Sequence, residues 1–66
     1  MKVKRIANDA EIEFGHDELL VLNAALNEVC NGIDVFEFET RIGAERAKVE
    51  SLMREIQAVL DQIEKK

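Results

Sequence analysis

The stripe Val49, Leu52, Met53, Ile56, Val59, Leu60 and Ile63 limits this chain more than anything else in it. Its spacings of three and four put every one of those apolar side chains on one side of a single long helix. No proline interrupts it, and Glu50 with Arg54, like Asp61 with Lys65, sits four apart in the favourable order for exposed ion pairs. A helix over 44–64 must bury that stripe, and the only material available is the rest of a short chain.

The covering element lies upstream. Leu19, Leu22, Leu26, Val29 and Ile33 repeat with the same alternation, with Cys30 beside them, which spells a helix over 17–31. Asp17 suits its N-cap, Glu18 places negative charge at the positive end of the dipole, and Gly32 suits the C-terminal cap. The short connection makes the helices antiparallel neighbours with facing stripes. Two readings compete for the connection at 34–42. Asp34 followed by Glu37 has capping-box spacing, and Val35, Phe38 and Ile42 precede Gly43 at i, i+3 and i+7, which spells a short helix. Phe36 and Phe38 alternating with Glu37 and Glu39 spell a strand. Cap, spacing and terminal glycine agree, so the helix is favoured.

Before the helices, residues 2–14 form two runs separated by Asn8 and Asp9, and Ile12 and Phe14 alternate with Glu11 and Glu13. That is a β-hairpin. Its register stays open, because a two-residue loop sets Val3 opposite Phe14 and a three-residue loop sets Ile6 opposite Ile12. The expected fold is α+β and mostly α: a single small domain over 1–66, with an N-terminal β-hairpin packed on an antiparallel helical hairpin and a short helix in the connection.

A core built from 66 residues supplies only about 3–5 kcal/mol of net stability without further support. Cys30 and His16 are the only residues of their kinds, so neither an internal disulfide nor a Cys/His zinc site is expected, and no cofactor or metal is implied. A second copy is the expected reinforcement. At 1.5 Å per residue the first helix spans about 21 Å and the second about 30 Å, which carries Leu60 and Ile63 past the start of the first. Leu20 and Val21 make that start apolar all round. Leu20, Val21, Val59, Leu60 and Ile63 are therefore the expected homodimer interface.

Fourteen Asp and Glu outweigh nine Lys and Arg, for a net charge of −5. Phosphate binding calls for the opposite sign, and "KVKR" at 2–5 is a slight footprint, so nucleic-acid binding is not expected. No apolar run spans a bilayer, and the lone thiol without an export signal implies the cytoplasm.

Several polar residues are candidate binding residues. Asn23, Asn27 and Asn31 are four apart along the flank of the first helix, with Glu28 further round. An amide ladder of this kind can hold a peptide backbone, or it is a solvated flank with Asn31 marking the helix end. Arg41 either locks the corner, by capping the last carbonyls of the first helix or pairing with Glu28, or clamps a partner's carboxylate. Cys30 beside the core reads as a small buried apolar residue, and His16 is a helix length from it, so no nucleophile and base meet. "HDE" at 16–18 points three ways and is explained by capping. Ala47, Ser51 and Ala58 form a small-residue line that alone decides nothing.

"LLVLNAALNEVCNGI" followed by "FETRIG" and a Glu-rich amphipathic helix resembles a group of small, functionally uncharacterised bacterial proteins with an LNxALNEVxxGI…FxTRIG-type pattern. The resemblance covers roughly 19–60 and is carried most specifically by Asn27-Glu28-Val29 and Thr40-Arg41-Ile42-Gly43. It implies no catalytic activity. It does imply that the corner between the helices is particular to the group.

The expected function is a non-catalytic protein–protein interaction or regulatory module, homodimeric, with Asn23, Asn27, Glu28, Asn31 and Arg41 toward a partner protein. An acidic inhibitor of a basic partner is one form. The alternative is a DNA-contacting regulator with a helix-turn-helix over 36–56, against which stands the mixed charge of Glu45, Arg46, Lys48 and Glu50. No enzyme constellation occurs at usable spacing.

Overall fold

A computed structural model describes residues 1–65. The order is β1 (Lys2–Ile6), β2 (Ala10–Glu13), α1 (His16–Asn27), a π-helical turn (Glu28–Gly32), α2 (Phe38–Ile42) and α3 (Arg46–Glu64). The fold is α+β and mostly α, with one two-stranded antiparallel sheet.

The hairpin turns through Ala7, Asn8 and Asp9, and the Ala7 N–H donates to the Asp9 carbonyl at 2.8 Å. Ile6 pairs with Ala10 and Arg5 with Glu11, then the register slips at Lys4, so that Val3 faces Ile12 and Lys2 faces Glu13. Neither register expected from the sequence occurs. The reason is a bulge at Lys4, which lets Val3 and Ile6, three apart, share a face that strict alternation would split. Lys4 and Arg5 then both lie on the other face. There Lys4 reaches Glu13 at 3.3 Å, while Arg5 reaches Glu11 at 3.1 Å and Asp9 at 3.2 Å. These pairs are half-exposed or more and add little to stability.

Helix α1 begins one residue earlier than expected. Its N-cap is Gly15 in extended conformation, and Asp17 lies within the first turn. Glu18 supplies half of a capping box, accepting from the Gly15 N–H at 2.9 Å and from the Met1 ammonium. At the far end the helix widens into a π turn, and the Ile33 N–H donates to the Glu28 carbonyl five residues back at 2.9 Å. Gly32 ends this turn without a positive φ. Its missing Cβ instead leaves room for the Glu28 side chain, whose carboxylate folds over the site where a Cβ would stand.

The expected overhang is absent, because α1 with its turn runs one residue further at each end than 17–31 and α3 starts two residues later than 44. Together α1 and the turn run 17 residues against 19 in α3, and His16 Nε2 at one end meets Glu64 Oε2 at 2.9 Å. The ends are flush. Leu60 is correspondingly only 1% exposed, one of the buried apolar side chains along with Leu19, Cys30 and Val49. It belongs to the chain's own interior, so its assignment to a subunit interface is corrected.

The connection is the short helix and not the strand, but it starts later than 34–42. Glu37 precedes it in left-handed conformation, φ 54 and ψ 55, so the Asp34–Glu37 capping box does not form. Gly43 at φ 89 closes it, donating to the Glu39 carbonyl at 2.8 Å.

The helical pair is the centre of the molecule, and contact between it and the hairpin is sparse. The hairpin is held at its root by half-buried Phe14 and the Met1–Glu18 pair. It covers less of α1 than expected, and the molecule is flat, 36 × 31 × 16 Å.

Candidate functional site

Two regions carry the polar residues singled out by sequence, one between the helices and one at their connected end. Along one side of the α1–α3 seam runs a groove of about 490 Å³ lined by Leu20, Asn23, Ala24, Asn27, Met53, Arg54 and Gln57. Asn23 and Asn27 reach it because they stand on the flank of the buried Leu19–Cys30 stripe, one turn apart.

The amides there are ordered by one charge. Asp61 can only accept, and Gln57 Nε2 donates to it at 3.0 Å. That turns Gln57 Oε1 toward Asn23, whose Nδ2 donates to it at 2.7 Å. Asn23 Oδ1 is thereby left buried and, among the described residues, without a hydrogen-bond partner. A buried acceptor in that state carries the full desolvation penalty.

At the connected end, the expected lock exists but a different residue makes it. The Arg46 guanidinium donates to the Cys30 carbonyl and lies 4.6 Å from the Phe38 ring centroid. Carbonyls in the last turn of a helix have no partner within it, so a planar cation entering from the next helix satisfies one and stacks on an aromatic face as well. The sequence signal was present: Arg46 stands three residues before the long stripe and Phe38 is an aromatic in the connection. Arg41 attracted attention because it sits in the connection itself. It is exposed on α2 and, among the described residues, its guanidinium makes no hydrogen bond or ion pair.

The five candidate partner residues therefore separate. Asn23 and Asn27 line the groove, and Asn31 joins them indirectly by donating to Asn27 Oδ1 at 3.0 Å. Glu28 is turned onto Gly32, and Arg41 stands apart. Of the interface candidates, Leu20, Val21, Val59 and Ile63 are exposed.

The sequence reading missed an apolar corner. Ile33, Phe36 and Ile42 are exposed around the strained Glu37, and Phe36 is the least covered aromatic in the chain. The Glu18 carboxyl is held below the usual 4.5 by the Met1 ammonium and then by the Gly15 N–H. Among the described residues no His, Cys, Asp and Glu side chains cluster as a metal-ligand set, and no helix is long and apolar enough to cross a membrane.

Comparison with protein-family models, with curated proteins and with solved structures finds no match for this chain.

Proposed function

We propose that this chain is a small non-catalytic interaction module that works as a homodimer and takes a partner protein segment along the Asn23–Asn27 groove. One observation carries the reading: the chain exposes too much of itself. Its accessible surface is 5335 Å², where a compact monomer of its 7.5 kDa exposes about 4,250 Å². Its radius of gyration is 13.4 Å against about 10.8 Å for a chain of this length. Large apolar side chains stand exposed on the hairpin, α1, the corner and α3. Such surface marks association sites in small proteins.

The groove supports the partner half of the reading. Its apolar floor of Leu20, Ala24 and Met53 beside amides and Arg54 is the composition that holds a peptide by apolar anchors and orients it by hydrogen bonds. Nothing favours the DNA alternative: the first basic residue of α3, Arg46, is engaged on the Cys30 carbonyl and Phe38.

Solution mass by light scattering across a concentration series tests the homodimer. Twice the chain mass of 7.5 kDa is expected, and a monomer at every concentration refutes it. For the groove, capture from lysate at low salt is compared between the wild type and Ala24→Arg. Equal capture of the same partner by both refutes the groove as its site.

A further inference from the structure

The hairpin has the least holding it in place. A two-stranded hairpin is marginal in water unless a helix or more strands cover its apolar face. Here that face carries Val3, Ile6 and Ile12. Exposure rises from 40% at Ile12 and 49% at Val3, near the helices, to 77% at Ile6, beside the turn. The bulge at Lys4 is what keeps Val3 and Ile6 on one face and sends Lys4 and Arg5 to the other. The chain thus maintains an apolar face on an arm that its own helices cover only at the root.

A bare surface of the same kind lies on α3. Leu52, Val59 and Ile63, spaced by seven and four, form one flank of its buried stripe, and all three are exposed. They extend over about 16 Å of helix, enough to receive the roughly 10 Å of strand from Val3 to Ile6.

We infer that two copies exchange arms: the Val3–Ile6–Ile12 face of each hairpin seats on the Leu52–Val59–Ile63 flank of the other copy's α3, about a two-fold axis. The inference rests on the homodimer reading and says which surfaces meet. The area argues for a second copy as the occupant: the whole chain's excess of about 1,100 Å², of which these two faces are part, totals about 2,200 Å² for two copies, the size of obligate homodimer interfaces. A two-fold arrangement makes each arm contact twice. The charged face, with Lys4, Arg5, Glu11 and Glu13, remains in water, as its half-exposed ion pairs require.

The test is charge complementation between chains. Ile6→Lys and Val59→Glu each place one charge in an apolar contact and are expected to weaken the dimer more than about a hundredfold, giving monomers by light scattering at concentrations where the wild type is dimeric. An equimolar mixture of the two variants is expected to recover dimers, because one arm then sets the introduced ammonium against the introduced carboxylate of the other chain while the second arm is unaltered. Far-UV circular dichroism runs alongside. If a single variant also loses helix, recovery of both helix and dimer mass on mixing is the expected result. A mixture that stays monomeric overturns the exchange, as do single variants that remain dimeric, and in the latter case the homodimer reading stands. A monomeric wild type overturns both.

Discussion

Glu37 holds φ 54 and ψ 55, a left-handed conformation that glycine adopts freely and other residues do not. The left-handed form costs a non-glycine residue about 1–2 kcal/mol, and glycine returns about half of the relief through its freer unfolded chain. Glu37→Gly is therefore expected to stabilise the protein by about 0.5–1 kcal/mol, seen as a higher urea midpoint with unchanged slope. Gly43 at φ 89 is the converse. A Cβ there meets nothing within 4 Å, so a loss of about 1 kcal/mol in Gly43→Ala arises from backbone conformation alone, and an unchanged midpoint would refute the left-handed closure. Glu18 gives a pH dependence whose sign is fixed. Its pKa is lowered on folding, so its contribution is present above the ordinary value of 4.5 and is lost as pH falls below it. Glu18→Gln should flatten the fall in melting temperature below that pH, while leaving the profile above it parallel to wild type.

At the scale of elements, the Arg46 lock fixes how α3 leaves the corner. Removing it in Arg46→Ala leaves the Cys30 carbonyl short of a donor and Phe38 uncovered, an expected loss of about 2 kcal/mol. Arg46→Lys should recover only part, since an ammonium does not stack as a planar fork does. A full recovery would assign the effect to charge alone. This corner also shows what the sequence can and cannot reveal. The stripe of α3 and the antiparallel helical pair follow from local periodicity, which a single chain states outright. The π turn does not follow from it; within that turn the Cys30 carbonyl meets a cation 16 residues away, a tertiary contact that local spacing does not state. The overhang that misplaced Leu60 came from the helix ends: the first helix and its turn run one residue further at each end than 17–31, and α3 starts two residues after 44. The bulge at Lys4 was legible in retrospect, since Val3 and Ile6 stand three apart where a regular strand needs two. The groove amides were visible as a spacing, but their polarity was not, because Asp61 sets it from the opposite helix.

On the scale of the whole molecule, the question is whether four buried side chains, Leu19, Cys30, Val49 and Leu60, hold a fold together. Unfolded, a chain of this mass exposes about 10,900 Å², so the single copy buries only about half of it, where small domains bury about 60%. A flat chain with so small an interior reaches ordinary stability when association adds to it, and then its melting obeys mass action. A tenfold dilution of a dimer that unfolds to two chains removes about 1.4 kcal/mol. Two chains of 66 residues at about 2.1 cal/mol/K per residue convert that into a drop of about 5 °C in melting temperature. Melting curves at three concentrations spanning two decades, followed at 222 nm, measure it directly. A midpoint that does not move with concentration would mean that the four-residue interior suffices alone, and that the exposed faces of the hairpin and of α3 add nothing to the fold.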